Sequence, residues 1–282
     1  WKYTKGKGVK VAVLDTGIAY KHPDLEGAIS DMKDFTNSPS GISDMNGHGT
    51  HCAGIIAARD NSVGVIGVAP EADLLIGKVL DDNGSGSEEM VASGIEWAIE
   101  KGANIISMSL GSAYPSQRIY EALKVAIKNN LFVICAAGNS WPRLDSVDYP
   151  GAFNETIAVG SIDRRKKISN FSSRGKQVDI VAPGDEILST YPPRGLAKLS
   201  GTSMATPFVA GISALILSKH KDYNGKTPIS NQKDLEEHLR KTAMDLGPLG
   251  FDISYGYGLI NPEELLNLNY SQYLKSIVNN VS

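Results

Sequence analysis

Four short apolar runs, Val9–Leu14, Asp73–Leu80, Ile105–Ser109 and Leu131–Ala136, recur along the chain with amphipathic or small-residue stretches between them. Their cores are near-continuous Val, Ile and Leu rather than alternating, the pattern of a strand buried on both faces. Two further strands are predicted at Thr156–Gly160 and Asp179–Ala182. Helices are predicted at His48–Ala58, Glu88–Lys101, Ser116–Asn129 and Thr202–His220, with another near Asn231–Thr242. Strands alternating with helices predict an α/β fold, a three-layer sandwich with a mostly parallel central sheet flanked by helices. Such sheets bind ligands at the carboxyl ends of their strands, and Asp15 and Asn139 follow two of those ends. No internal repeat or low-complexity linker divides the chain, so residues 1–265 read as one domain and 266–282 as a C-terminal tail of unknown role.

With 282 residues and 41% hydrophobic content the chain can bury a large core. A net charge of -3, with no basic block interleaved with aromatics, argues against a nucleic-acid partner. No apolar run reaches the roughly 18 to 20 residues needed to span a bilayer; the longest, Phe208–Leu217, fits a buried helix. The glycines of Lys5-Gly-Lys-Gly8 precede the first strand and no G-x-G-x-x-G opens the next helix, so a nucleotide-binding reading fails. Cys52 and Cys135 read as two packed free thiols rather than a disulfide framework.

The most informative stretch is Ser200-Gly-Thr-Ser-Met-Ala-Thr-Pro207, which puts Ser203 at the mouth of the long apolar helix, with Pro207 expected in its first turn. Helix N-termini carry unpaired N–H groups and a partial positive charge, so an oxyanion forming beside Ser203 is stabilised by the backbone. A serine hydroxyl is a weak nucleophile unless a base takes its proton and a carboxylate orients that base. Val9-Lys-Val-Ala-Val-Leu-Asp15-Thr-Gly17 offers the carboxylate at a strand end, and Asn46-Gly-His48-Gly-Thr-His51-Cys-Ala-Gly54 offers the imidazole in a loop entering a small-residue helix. Leu131-Phe-Val-Ile-Cys-Ala-Ala-Gly-Asn139 ends a strand in an amide that can donate to an oxyanion. Taken singly, each residue has a plainer reading: Asp15 as a turn residue, His48 as a helix-opening residue, Ser203 as a helix cap, Asn139 as a turn residue. Their joint occurrence favours chemistry.

With Asp15, His48 and Ser203 in that order and Asn139 between, the chain resembles the subtilisin-like serine peptidases from about Val9 to about Leu265. The resemblance implies that Asp15 orients the imidazole, His48 is general base and then acid, Ser203 attacks the carbonyl and Asn139 completes the oxyanion hole. His51 receives no proton-transfer role and reads as structural. The implied activity is a serine endopeptidase acting through an acyl-enzyme on protein or peptide substrates bound in extended form, and the acid limb of its pH profile is expected near an ordinary histidine value of about 6.5 to 7. A subtilisin-like scaffold that has lost turnover is the alternative, but none of the three triad positions is lost.

Further expectations follow from the same resemblance. Gly84, Ser85 and Gly86 on one side, and Ser109, Leu110 and Gly111 on the other, are expected to clamp the substrate backbone by strand addition; Ala136 and Gly138 belong to the same cleft. Asp148, just before Tyr149-Pro150, occupies a position that lines the first specificity pocket in relatives, where an aspartate favours Lys or Arg; Glu88 and Glu89 add negative charge on that side. Asp24, Asn61 and the carbonyls of Arg59, Val63 and Val65 match segments that wrap a structural Ca2+, an ion that takes roughly six to eight oxygen ligands. The family's N-terminal arm supplies another ligand and its members are made with a propeptide or inhibitory extension; this chain begins at Trp1, so neither is expected within it. Cys135 resembles the intracellular branch whereas His51-Cys52 resembles exported thiol-containing branches, which leaves the compartment open.

Overall fold

The computed structural model describes residues 1–221 and 229–267. Its centre is a seven-stranded parallel sheet, in which β1 (Lys10–Asp15), β3 (Asp73–Lys78), β4 (Ile105–Met108) and β5 (Phe132–Ala136) form the middle. β2 (Ile29–Asp34) is one edge, and β6 (Ile157–Ile162) and β7 (Val178–Pro183) complete the other side, in the spatial order β2-β3-β1-β4-β5-β6-β7. The predicted strands and helices are all present, with ends shifted by a residue or two. The sandwich follows from side-chain alternation along strands buried on both faces. Val11, Val13, Ile105 and Ile134 point to one side, where they pack with α1 (His48–Ala57) and α4 (Thr202–Lys221). Ala12, Leu14, Ile106, Val133 and Cys135 point to the other, towards α2 (Glu88–Glu100) and α3 (Gln117–Lys128).

α2 and α3 start at serine caps, Ser87 and Ser116, whose side chains accept from the third helical N–H. α5 (Gln232–Thr242) is capped in the same way by Asn231, and a short α6 (Pro262–Asn267) follows. The tail expected at 266–282 lies outside the described residues from 268 onward.

An edge strand and a hairpin escape the hydrophobic pattern. β2 has the sequence ISDMKD and is only partly buried at the sheet edge, so its polar residues hide a strand. β8 (Ile187–Tyr191) and β9 (Gly195–Leu199) form a separate antiparallel hairpin lying on α1. Ile187 and Leu199 pack on the core, and polar bonds add to them: Ser189 and Thr190 hydroxyls donate to the His51 and Thr50 carbonyls, and the Tyr191 hydroxyl to the Asn46 carbonyl. His51 Nε2 lies 2.9 Å and 3.0 Å from the Ile187 and Ala197 carbonyls, so this buried ring serves the hairpin. Burial also lowers its affinity for a proton.

Candidate active site

Asp15 is the last residue of β1, and its carboxylate is buried where β1 meets α1. Two glycines allow that meeting. Gly47, the residue before α1, has φ +97°, and a Cβ there would lie 2.3 Å from the Tyr191 ring. Gly49 packs so closely that a Cβ would lie 2.4 Å from the Gly17 carbonyl oxygen. His48, in the first turn of α1, therefore comes down onto the end of β1, with Nδ1 2.7 Å from Asp15 Oδ1. The same oxygen accepts the Thr16 N–H at 2.7 Å. Asp44 fastens the arrangement: its carboxylate accepts the Thr16 hydroxyl, the N–H groups of Asn46, Gly47 and Thr50, and the Thr50 hydroxyl.

At the other wall, Ser203 is the second residue of α4. Pro207 is the sixth residue, one turn later than expected, and this displacement matters. Proline has no N–H to give the carbonyl four residues back, so the Ser203 carbonyl is freed from the helix ladder. Ser109 Oγ donates to it at 2.8 Å and the Cys52 thiol at 3.4 Å. The Ser203 hydroxyl itself donates to the Ser109 carbonyl at 3.3 Å.

Asn139 is oriented by Thr202. The Thr202 N–H, which can only donate, lies 2.9 Å from Asn139 Oδ1, and the Thr202 hydroxyl donates to the same oxygen at 3.2 Å. The amide NH2 must therefore face the opposite way, towards Gly201 and Ser203; a Cβ on Gly201 would lie 3.6 Å from Asn139 Nδ2 and 3.7 Å from Ser203 Cβ. A second bond, Gly138 N–H to Thr202 Oγ at 3.1 Å, ties the end of β5 to the start of α4.

Two hollows meet at His48. A groove of about 790 Å³ has Gly84, Ser85 and Gly86 on one wall and Ser109, Leu110 and Gly111 on the other. A smaller hollow of about 340 Å³ contains Asn139, Tyr191, Ser200 and Ser203. Asn46 and His48 line both. Asp148 sits behind the larger groove: Cβ atoms added to Gly111 and Gly138 would come within 2.8 Å and 2.3 Å of its side chain. Its N–H donates to the Ala137 carbonyl, and Gly151 packs on the Ala136 carbonyl, which sets Ala136 and Gly138 along the same edge.

Charge follows from this packing. Burial, the largest single influence, would lower the His48 pKa, but the Asp15 carboxylate in contact and the neighbouring Cys52 together outweigh it and hold the imidazole well above the usual histidine value. Burial raises the pKa of the Cys52 thiol, whose sulfur lies 4.0 Å from His48 Nδ1. Burial likewise pushes the Asp148 carboxyl up, with Arg143 partly opposing it.

Comparison with known proteins decides the family. The sequence model described as Subtilase family matches residues 6–258. The chain belongs to the subtilase family. It is 48% identical over 249 residues to the Major intracellular serine protease of Bacillus subtilis (strain 168), covering 86% of this chain and 78% of that protein. It is 51% identical over 223 residues to the Intracellular serine protease of Paenibacillus polymyxa, covering 77% and 68%. Subtilisin DY of Bacillus licheniformis is 42% identical over 261 residues, covering 92% and 91%. This subtilase is thus a serine endopeptidase, a hydrolase of peptide bonds with peptide substrates. Among the described residues no helix is long and apolar enough to cross a membrane.

The segments expected to hold calcium come together at one edge. Asp24 is buried, its Oδ2 accepts the Val65 N–H at 2.8 Å, and its backbone carbonyl accepts the Arg59 N–H. Asn61 Oδ1 accepts the Val63 N–H at 3.1 Å, and Asn61 Nδ2 donates to the Pro23 carbonyl. Gly64, with φ +54°, curls over the carboxylate so tightly that a Cβ would fall 2.0 Å from Asp24 Oδ2. The carboxylate of Asp24, the amide oxygen of Asn61 and the carbonyls of Arg59, Val63 and Val65 are oxygen donors of the kind calcium takes.

The Thr202, Ser109, Cys52 and Asp44 contacts were not legible beforehand. The one signal was Pro207, which announces a freed carbonyl four residues earlier without saying what answers it.

Proposed function

We propose that this subtilase hydrolyses peptide bonds through Ser203, His48 and Asp15, with Asn139 and the Ser203 N–H as the oxyanion hole, and that Asp148 biases it towards Lys or Arg before the scissile bond. The observation that carries the reading is the pairing of His48 Nδ1 with Asp15 at 2.7 Å, on the wall facing an Asn139 amide whose oxygen is already taken by Thr202. Asp15 fixes the tautomer with the proton on Nδ1, so Nε2 is the basic nitrogen. Rotation about χ1 swings the Ser203 hydroxyl from the Ser109 carbonyl to Nε2, which takes the proton as Oγ attacks the substrate carbonyl. The developing oxyanion lies between Asn139 Nδ2 and the first turn of α4, where donors are already in place before charge appears. His48 then gives its proton to the leaving amine, and water repeats the sequence on the acyl-enzyme.

His48 stands between the two hollows, so an extended peptide with its acyl side in the larger groove places its leaving group in the smaller one. The glycine and serine walls offer backbone rather than side chains, which suits strand addition. The Asp148 carboxylate, packed behind Gly111 and Gly138, supplies the charge that a Lys or Arg side chain would meet at the end of its pocket. Asp24, Asn61 and the carbonyls of Arg59, Val63 and Val65 would hold a calcium ion, whose contribution is to lock loop 59–65 onto the 3-10 turn at Pro23–Leu25. It takes no part in bond cleavage.

The test is a matched set of fluorogenic peptides with Arg, Lys, Phe or Leu before the scissile bond, run with this chain and with Ser203→Ala. Cleavage abolished in the variant, with Arg and Lys leading the ranking, is expected. Absence of cleavage by the folded chain would support a scaffold without turnover, and a ranking led by Phe or Leu would remove Asp148 from selectivity.

A further inference from the structure

Lys78 ends β3 directly before the turn that forms the Gly84–Gly86 wall, and its side chain is fully buried. A buried ammonium is costly unless each of its donors is answered. Here Nζ donates to Asp82 Oδ1 at 2.6 Å, to the Ser43 carbonyl at 2.8 Å and to Ser40 Oγ at 3.0 Å. Ser40 Oγ also donates to Asp82, so one ammonium, one hydroxyl and one carboxylate close a triangle. The Lys78 ammonium and the Ser40 hydroxyl hold the Asp82 carboxyl below the usual range.

These bonds join the turn that carries the Gly84–Gly86 wall to the loop that leads into His48, and Gly84 and His48 both line the groove. Asp81 to Ser85 is a self-contained turn: Asp81 N–H donates to the Ser85 carbonyl, and Asp81 Oδ1 accepts from the N–H groups of Asn83 and Ser85. Those internal bonds shape the turn but do not tie it to the His48 loop; Asp82 does. Ser40 and Ser43 belong to the loop that continues through Asp44 and Asn46 to His48, and Asn46 reaches back so far that a Cβ on Gly84 would lie 3.2 Å from its Nδ2. We infer that Lys78 and Asp82 are positioning residues that clasp the Gly84–Gly86 wall to the His48 loop and so set the register of a long peptide against the reacting atoms. The inference rests on reading the groove as the site of the extended peptide.

Position then separates substrates by length. A tetrapeptide amide must lie along the wall, whereas an acetylated single-residue ester needs only the nucleophile, base and oxyanion donors. Asp82→Asn keeps the shape and one acceptor on the solvent side of the clasp, so the fold is retained; its melting temperature is followed alongside. The expected result is a fall of about tenfold in kcat/KM for the tetrapeptide, mostly through KM, with the ester unchanged within about twofold. Lys78→Met, which fills the same space without the charge, should reproduce the split. A parallel loss on both substrates would mean a general structural role and would overturn the clasp, as would an unchanged tetrapeptide in a chain that gains from substrate length. If the unaltered chain hydrolyses the ester but gains nothing from the longer peptide, the groove reading fails and takes the clasp with it.

Discussion

The start of α4 and the loop 59–65 both wrap polar groups around one side chain, yet they differ in what is left over. At α4 the acceptors are consumed: Asn139 Oδ1 by Thr202, and the Ser203 carbonyl by Ser109 and Cys52. What remains is a set of donors, the Asn139 NH2 and the N–H groups of the helix N-terminus. Around loop 59–65 Asp24 Oδ2 and Asn61 Oδ1 are occupied too, but each by a backbone N–H of the loop itself, and Gly64 closes over the carboxylate. That loop already satisfies itself, so an ion there adds to a formed structure. On the proposed reading the first region would meet charge that appears only during reaction, and the second the permanent charge of an ion. This contrast ranks the expected effects.

The largest belongs to the donor side. Asn139→Leu removes the amide and lowers kcat on the order of a hundred- to a thousandfold with little change in KM, a range known from an oxyanion-hole substitution in a subtilisin and carried over to this chain. Steady-state kinetics checks it; a loss confined to KM would mean that Asn139 binds the ground state. Next comes the pocket behind Gly111 and Gly138. Asp148→Asn should cut the Arg-over-Leu ratio of kcat/KM by roughly tenfold or more, the worth of a charged hydrogen bond of ~1.5–3 kcal/mol, and an unchanged ratio would place the selectivity elsewhere.

The pH profile sharpens the same division. With His48 as the proposed base, catalysis needs it neutral; its pKa is raised beside Asp15, so activity should be present above that raised value and lost as pH falls through it. The midpoint in kcat/KM is expected above the ordinary ~6.5, higher than the motif alone suggested, and Asp15→Asn should move it down. The smallest effect is expected at loop 59–65. Chelation should lower the melting temperature by a few degrees, following mass action for a ligand of the folded state, while the activity of the surviving protein is kept. No shift in calorimetry would remove the calcium proposal.

How much of this was readable depends on whether a constraint lies within a few residues or across the fold. The strands of the sheet centre announced themselves because burial on both faces demands uninterrupted Val, Ile and Leu, as in Ile105 and Ile106. β2 did not, since an edge strand with an exposed face tolerates Ser, Asp and Lys. The β8–β9 hairpin was silent because hydroxyl-to-carbonyl bonds from Ser189, Thr190 and Tyr191 help to hold it to α1, and polar residues of this kind carry no period. The candidate catalytic residues were legible because each stands inside a contiguous motif of strand end, small residues and helix start. Their supports were not: Ser109 and Cys52 reach Ser203 from positions 94 and 151 residues away. Asp44 and the Lys78–Asp82 clasp are likewise plain charged residues in sequence, and only packing gives them work.

The most direct test of the account is covalent labelling of the native chain with a serine-directed phosphonate, read by intact mass and peptide mapping across pH. The predicted result is one adduct per chain, on Ser203, formed at a rate that falls as His48 protonates and lost in His48→Ala. An adduct on another residue, or no adduct on the folded chain at neutral pH, would contradict the assignment of Ser203 as the nucleophile activated by His48.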